Sequence, residues 1–251
     1  MRIEVVTLFP DMVRCALQYG VVGRAIEQGA ASVELRSPRD YATDARRTVD
    51  DRPYGGGPGM VLAVEPTRSA VRAAAATLPP GSRRLCLPAD GVRIDHRTAL
   101  ELAALPGILL LAGRYEGLDE RLLETEIDES VSIGDYVLSG GELAAMIVID
   151  AVVRLLPGVL GDAASAVEES FAEGLLDWPH YTRPERIDGL EVPAVLLGGA
   201  HAEVRRWRTK QALGRTWARR PDLIRRLPLD TEQRRLLDEY LDERGRSGAP
   251  D

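Results

Sequence analysis

The sequence predicts an α/β fold in which a parallel sheet carries helices on both faces, followed by a small helical domain. Strand-like and helical segments alternate throughout residues 1–160, and such alternation is typical of parallel strands joined by crossover helices. Beyond residue 160 the chain becomes polar, arginine-rich and helical in pattern. This change in character indicates that the two parts of the chain fold as separate domains.

The predicted elements follow one another in a regular order. Strands are predicted by their β-rich composition, and they cover residues 2–8, 32–36, 84–87, 108–111 and 127–131. Helices are predicted by starting and ending signals; one opens at Pro10-Asp11, and the others cover residues 21–28, 65–78, 95–105, 118–125 and 141–156. Asp95 is expected to cap the start of the helix over residues 95–105. Gly29 is expected to end the helix over residues 21–28.

Residues 37–60 interrupt this alternation. They show no periodicity and end in the motif Asp50-Asp-Arg-Pro-Tyr-Gly-Gly-Gly-Pro-Gly-Met60. Long segments without secondary structure are uncommon in compact domains and are usually functional or disordered. The sequence therefore predicts a long loop of one of these kinds.

A domain boundary is predicted near residue 162, where small and acidic residues follow Pro157-Gly158. Such a composition is typical of a linker or mobile loop. We therefore expect an α/β domain over residues 1–161, a mobile linker over 162–174 and a helical domain over 175–251.

The overall composition excludes several classes of protein. The two cysteines, Cys15 and Cys86, form no Cys-x-x-Cys motif, which fits a reduced cytoplasmic protein. Among the apolar runs, none approaches the ~20 residues that a membrane-spanning helix needs. The net charge of −7 by itself argues against nucleic-acid binding, but the distribution of that charge matters more than its sum.

The positive charge is concentrated in residues 201–226. This segment holds nine basic residues against two acidic ones, a net charge of +7, and it interleaves them with Trp207 and Trp217. Clustered arginine with aromatic side chains is typical of a nucleic-acid-binding surface. A solvated helix face over a small tryptophan core explains the same pattern, so both interpretations stay open at this point.

Two glycine-rich loops follow neighbouring apolar segments and predict a single ligand pocket. They are Ala112-Gly-Arg-Tyr-Glu-Gly117 and Ser132-Ile-Gly-Asp-Tyr-Val-Leu-Ser-Gly-Gly-Glu142. Glycine allows the backbone to approach a ligand closely. In α/β sheets, ligands bind outside the carboxyl ends of the strands, where these loops are expected to lie.

Other families with glycine-rich loops do not fit. Leu138-Ser-Gly-Gly-Glu142 is close to a signature of ABC-type ATPases, but those also need a phosphate-binding loop with lysine, and the only lysine, Lys210, has no such context. No Gly-x-Gly-x-x-Gly motif supports a nicotinamide site. The three histidines are scattered without metal-ligand spacing.

These motifs together resemble the bacterial tRNA (guanine-N1)-methyltransferases, the TrmD family of the SPOUT class. The resemblance covers about residues 1–240 and includes Gly174-Leu-Leu-Asp-Trp-Pro-His-Tyr-Thr-Arg-Pro184 and Arg205-Arg-Trp-Arg208 as well as the glycine motifs. It implies a trefoil-knotted parallel-sheet domain, a homodimer with active sites between subunits, and a helical C-terminal domain that holds tRNA. The implied reaction transfers a methyl group from S-adenosylmethionine to N1 of the guanine at position 37 of tRNA, next to the anticodon.

The resemblance also implies roles for individual residues. Catalysis is carried over to Glu169 as general base and to Arg154 as the contact to guanine O6. The methyl donor is implied to bind Cys86, Leu87, Pro88, Gly113, Tyr115, Glu116, Ser132, Ile133, Gly134, Tyr136, Val137, Leu138, Gly140 and Gly141. Contacts to tRNA are implied for Ser170, Asp177, His180, Arg183, Arg205, Arg208, Lys210 and Arg215. A metal ion is not indicated, and the sequence leaves open whether Mg²⁺ assists proton transfer.

The residue types at the implied catalytic positions agree with this chemistry. Guanine N1 carries a proton and is a poor nucleophile until a base removes that proton, which a carboxylate can do. Negative charge then develops on O6, where a guanidinium stabilises it. The methyl group must finally lie in line with N1.

This sequence departs from the family at the base position, in one turn and at Arg47, which replaces a histidine just before Thr48. Glu169 stands where the family has aspartate, and its neighbour Glu168 could serve instead. The turn Leu87-Pro-Ala-Asp-Gly91 replaces the usual Leu-Ser-Pro-Gln-Gly; we expect the backbone to supply the donor contacts there. Two alternatives stay open, a catalytically weak RNA-binding protein that keeps the fold and a SPOUT methyltransferase that acts on rRNA.

Overall fold

The computed structural model describes residues 1–161 and 169–247. The chain forms two compact units, one over Met1–Ala163 and one over Ala164–Asp251. None of the helices in the described ranges is long and apolar enough to cross a membrane.

The first unit is built on a six-stranded sheet in which every pairing is parallel. Its strands are β1 (Arg2–Val6), β2 (Ser32–Arg36), β5 (Arg83–Cys86), β6 (Val92–Arg93), β7 (Gly107–Leu111) and β8 (Glu129–Ser132). They lie in the order β2-β1-β7-β5-β8-β6. Two short strands, β3 (Asp50–Asp51) and β4 (Val61–Leu62), form a separate antiparallel pair.

Helices cover both faces of this sheet, as the sequence predicts. They are α1 (Pro10–Leu17), α2 (Gly20–Glu27), α3 (Val64–Ala75), α4 (His96–Ala103), α5 (Glu120–Glu126) and α6 (Glu142–Val153). Successive residues of β7 point to opposite faces. Ile108 and Leu110 join the core that includes α2, α4 and α6, whereas Leu109 and Leu111 join the core of α3 and α5. Since both faces are buried, β7 is apolar along its whole length.

A fully buried carboxylate, Glu4, lies in the middle of β1. It accepts hydrogen bonds from Arg2, Arg36 and Thr77. Burial raises the pKa of Glu4, but these hydrogen bonds outweigh burial and hold its pKa below the usual value. The ion pair with Arg36 links β1 to β2 across the edge of the sheet.

The element boundaries differ from the predicted ones mostly by a few residues. Asp95 caps α4 as expected, because its side chain accepts a hydrogen bond of 2.9 Å from the backbone of Thr98. The segment 37–60, predicted as a long loop, is mostly irregular but contains two short elements. A short 3₁₀ helix at Pro38–Tyr41, capped by the side chain of Ser37, and strand β3 lie within it. Strand β3 is ordered by pairing with β4, which follows it closely in the chain, although neither strand has a local periodicity.

The described part of the second unit is mainly helical. It contains α7 (His201–Arg219), α8 (Pro221–Ile224) and α9 (Thr231–Ser247), with a short hairpin of β9 (Arg186–Ile187) and β10 (Leu190–Glu191) before them. Leu213 on α7 and Leu236 on α9 are buried, and these two helices contact each other. The predicted linker over residues 162–174 lies partly outside the described residues.

Candidate active site

Three loops meet beside one another at the carboxyl end of the sheet. Strand β5 lies between β7 and β8, and all three are parallel, so their carboxyl ends share one edge. The loops over residues 87–91, 112–117 and 133–141 follow these three strands directly. This is the edge at which α/β proteins bind ligands.

The three loops enclose a cavity of about 420 Å³. Its volume falls within the range of about 300–1,000 Å³ that is typical of small-molecule sites. Every residue predicted to bind the methyl donor lines it, namely Cys86, Leu87, Pro88, Gly113, Tyr115, Glu116, Ser132, Ile133, Gly134, Tyr136, Val137, Leu138, Gly140 and Gly141. The structure thus brings the whole predicted set together.

The cavity also has lining residues that the sequence analysis did not single out. Among them are the charged side chains of Asp90, Arg114 and Glu120 and the apolar side chains of Leu118 and Ala144. Most of them lie within or next to the three loops, so position in the motifs could have indicated them. The type of side chain alone could not have indicated them, because a side chain in a loop can face either the cavity or solvent.

The two glycine-rich loops are held together by their backbones. The N–H of Gly141 donates a hydrogen bond of 2.8 Å to the carbonyl oxygen of Gly113. A Cβ atom at Gly141 would lie 2.8 Å from the Cα atom of Ala112, which is closer than real Cβ contacts. Glycine is therefore required at 141 for the close approach of the two loops.

A buried ion pair connects the same loops to the first strand. Glu142 is fully buried and accepts hydrogen bonds of 2.8 Å from Nε of Arg114 and from the hydroxyl of Thr7. The guanidinium of Arg114 also donates to the carbonyl oxygen of Ser139 and lies 4.5 Å from the ring centroid of Phe9. This network, which we call the Arg114–Glu142 network, fixes one loop against the other.

The thiol of Cys86 lies in the cavity wall at the end of β5. Burial raises its pKa to about 12. The thiol is therefore protonated at neutral pH and is a poor nucleophile, since the thiolate is the reactive form. Cys86 contributes its buried side chain to the wall of the cavity.

The two residues predicted to be catalytic lie in different units. Arg154 is the C-terminal cap of α6, where its backbone N–H donates to the carbonyl oxygen of Asp150 at 3.2 Å. Glu169 lies in the second unit and lines a cavity of about 290 Å³ with Trp178 and Arg205. The alternative base, Glu168, lies outside the described residues.

Five of the residues predicted to contact tRNA meet around the segment 177–180. Asp177 accepts a hydrogen bond of 2.7 Å from the ring of His180, and its backbone N–H donates to the hydroxyl of Ser170 at 2.9 Å. Arg215 donates to the carbonyl oxygen of Asp177, and the guanidinium of Arg208 lies 4.8 Å from the ring centroid of Trp178. Arg183 lies on an exposed part of the same unit.

Helix α9 neutralises part of the basic segment. The ammonium of Lys210 bonds both carboxylate oxygens of Glu243, at 2.7 and 2.8 Å, and only 9% of Lys210 is exposed. Arg206 is similarly bound to Glu239. A phosphate contact from Lys210 would therefore require its release from Glu243. No local pattern in the sequence indicates these ion pairs, because the two helices are separated in the chain.

Comparison with known proteins decides the family. A family model described as tRNA (Guanine-1)-methyltransferase TrmD matches residues 1–226. The chain belongs to this family. Among its TrmD relatives, a tRNA (guanine-N(1)-)-methyltransferase of Methylococcus capsulatus is 62% identical over 240 residues, which are 96% of each chain.

Further TrmD relatives give the same result. The protein of that name from Salmonella typhimurium is 57% identical over 243 residues, 97% of this chain and 95% of the relative. The one from Serratia marcescens is 58% identical over 240 residues, 96% of this chain and 94% of the relative. The motifs at the three loops lie within the region that the family model matches.

Proposed function

We propose that this TrmD family member transfers a methyl group from S-adenosylmethionine to N1 of the guanine next to the anticodon of tRNA. The observation that carries the proposal is the single cavity that unites all the predicted donor-binding residues in a chain of this family. Because its substrate is tRNA, we further propose that the enzyme acts in the cytoplasm.

The lining of the cavity suits the methyl donor. Backbone groups of the loops at Gly113, Gly140 and Leu138 can pair with a heterocycle, and the buried side chain of Leu87 offers an apolar surface to its ring. The carboxylate of Glu116 offers a negative charge to a cationic ligand. When bound, the donor supplies an electrophilic methyl group on a positively charged sulfur atom.

The proposed roles of the catalytic side chains follow from their charges. The carboxylate of Glu169 takes the proton from guanine N1, which frees the nitrogen lone pair for attack. The guanidinium of Arg154 donates hydrogen bonds to O6, where negative charge develops as the proton leaves. Glutamate is one methylene longer than the aspartate of the family, so its carboxylate reaches the same point from a retracted side chain or a shifted backbone.

A methyl-transfer assay with two tRNA transcripts tests this function directly. Labelled methyl transfer from S-adenosylmethionine is measured with two tRNA transcripts that carry guanine or adenine after the anticodon. We expect label on the guanine transcript alone. Label on neither transcript, with tRNA still bound, would indicate an inactive binding protein, and label only on an rRNA fragment would move the substrate to rRNA.

Arg154→Ala is expected to lower turnover far more than donor affinity. Loss of one stabilising donor to a developing oxyanion costs about 10²–10³-fold in turnover, because its contact is made chiefly in the transition state. Isothermal titration with S-adenosylmethionine and single-turnover methyl transfer measure the two quantities separately. A fall in donor affinity as large as the fall in turnover would show that Arg154 has another role.

The arginines of α7 are proposed to hold the tRNA backbone, and this predicts a strong salt dependence. If about four of them neutralise phosphates, tRNA affinity falls by about a hundredfold between about 50 and 200 mM salt. Arg205→Ala is expected to reduce the slope of log affinity against log salt by roughly one unit. A flat salt response in the wild-type protein would mean that these arginines contact only solvent or the protein itself.

We also propose that the enzyme is a homodimer with active sites between its subunits and that its sheet domain contains a trefoil knot. The knot rests on the family resemblance. Support for the dimer comes from an apolar groove of about 690 Å³ on the first unit, where Tyr19 is 74% and Ile147 is 48% exposed. Exposed apolar patches of this kind often mark protein interfaces.

Sedimentation velocity tests the dimer. The wild-type protein is expected at twice the chain mass of 27.4 kDa. Ile147→Asp introduces a charge into the groove and is expected to shift the protein towards the monomer, since an unpaired charge is costly to bury in an interface. A wild-type protein that sediments as a monomer at micromolar concentration would contradict the proposal.

A further inference from the structure

The glycine-rich segment 52–60 ends on the wall of the donor cavity. The carbonyl oxygen of Met60 accepts a hydrogen bond of 2.9 Å from the N–H of Glu116. Two residues further along, the N–H of Leu62 donates to the carbonyl oxygen of Gly117 at 3.1 Å. Glu116 and Gly117 both line the cavity. The end of the segment and the first glycine loop are thus joined by backbone bonds.

The side chain of Glu116 occupies the space where a residue at 59 would carry its side chain. Gly59 has a φ of +79°, and a Cβ atom built there would lie 2.5 Å from Cγ and 2.7 Å from Cδ of Glu116. Real Cβ atoms essentially never approach another heavy atom so closely. Any side chain at 59 must therefore push the Glu116 carboxylate away from its position.

The backbone before Glu116 also depends on its surroundings. Tyr115 has a φ of 62°, in the left-handed region that residues other than glycine seldom adopt. Such conformations persist only where neighbouring contacts hold them, and they cluster at ligand sites. The hydrogen bond from Glu116 to Met60 is one of the contacts that hold this turn.

Among the described side chains that line the cavity, carboxylates outnumber cations, and Glu116 is one of these carboxylates. In the described part of the chain, Arg114 is the one cation that lines the cavity, and its partner is the buried Glu142. Asp90, Glu116 and Glu120 supply carboxylates. A ligand with a positively charged sulfur atom is therefore favoured, and the position of each carboxylate affects how strongly it is held.

We propose that Gly59 is a positioning residue for the donor cavity, which acts by leaving the space in which the Glu116 carboxylate lies. This inference rests on the proposed function, because it takes the ligand of the cavity to be the cationic methyl donor. It gives the segment 52–60 a specific role. The segment places a charged group of the cavity wall and need not touch the donor.

Gly59→Ala tests the inference against a closely matched control, Gly56→Ala. Gly56 has a φ of +76°, so alanine there suffers nearly the same backbone strain as alanine at 59. In the described part of the chain, no heavy atom lies within 4 Å of a Cβ built at Gly56. The two variants therefore differ in the displacement of Glu116 and hardly in the strain of the loop.

Donor affinity is measured by isothermal titration calorimetry with S-adenosylmethionine alone, without tRNA or turnover. We expect Gly59→Ala to weaken binding by about tenfold and Gly56→Ala to change it by less than about twofold. Circular dichroism and thermal melting check that each variant is folded. Equal affinities of the two variants would overturn the inference.

A double substitution determines whether Gly59 acts through Glu116. In a Glu116→Ala background no long side chain remains to be displaced, so adding Gly59→Ala is expected to change donor affinity by less than about twofold. If Gly59→Ala alone fails to fold, the double variant should recover folding, because the steric conflict is gone. A full-sized effect in the double variant, or its failure to fold, would assign Gly59 to the loop itself.

The test of the positioning role of Gly59 can fail without the proposed methyl transfer failing. Methyl transfer by the wild-type protein to the guanine transcript tests the function and involves no variant. Wild-type activity together with equal affinities of Gly59→Ala and Gly56→Ala would refute the positioning role alone. Wild-type protein that binds no S-adenosylmethionine would refute both.

Discussion

Glu169→Ala is expected to reduce single-turnover methyl transfer by about 10²–10⁴-fold, the usual contribution of a general base. Donor affinity should change by less than about twofold, because the proposed role of Glu169 is to remove a proton from the RNA base. Raising the pH should restore part of the lost rate, since guanine N1 then loses its proton to solvent.

The same cavity of the second unit offers a matched control. Glu173 also lines it, so Glu173→Ala removes a carboxylate from the same surroundings and should keep most of the activity. Glu169→Asp restores the residue type of the family and should remain active. An equal loss in Glu173→Ala, or near wild-type activity in Glu169→Ala, would transfer the role of base to another group, and Glu168→Ala would then be the next variant to measure.

Glu142→Ala is expected to have the largest effect on stability. Its side chain is fully buried and bonds Arg114, whose side chain is only 19% exposed, and Thr7. Removing the carboxylate leaves a guanidinium and a hydroxyl without their partner, and breaking a buried ion pair from one side costs about 3–5 kcal/mol. We expect a loss of about 3 kcal/mol in the unfolding free energy of the first unit, because Arg114 can regain some contact with water.

The two units allow this loss to be localised. All three tryptophans, Trp178, Trp207 and Trp217, belong to the second unit, so their fluorescence reports the unfolding of that unit alone. Hydrogen exchange of peptides from residues 1–161 reports the first unit. Glu142→Ala should lower protection in the first unit while the midpoint of the tryptophan signal in urea stays unchanged.

An exposed ion pair serves as the control for Glu142. Glu101 pairs with Arg97 on α4, where the two side chains are 52% and 87% exposed. Glu101→Ala should cost less than about 1 kcal/mol, because exposed pairs gain little over hydration. Similar losses in both variants would mean that the Arg114–Glu142 network contributes no more than a surface pair, and the stability of the loops would then need another explanation.

Local sequence was sufficient to predict five of the six strands of the sheet and most helices, and the family resemblance supplied the residues predicted to bind the donor. Strand β7 is recognisable because burial on both faces requires apolar residues at every position. The glycine loops are recognisable because they follow such strands, and the parallel sheet then brings the loop after β5 between those after β7 and β8. Element types and their order indicate the edge of the sheet at which the cavity lies, and the resemblance to the family identifies individual residues that line it.

Tertiary structure alone decided which charged and glycine residues meet. Thr7 and Glu142 are 135 residues apart, Lys210 is neutralised by Glu243 on another helix, and Gly59 leaves room for Glu116. None of these pairs has a local signature, because a carboxylate or a glycine looks the same in a sequence whatever it contacts. The sequence determined where the cavity lies, and long-range packing determined which of its charges remain available to a ligand.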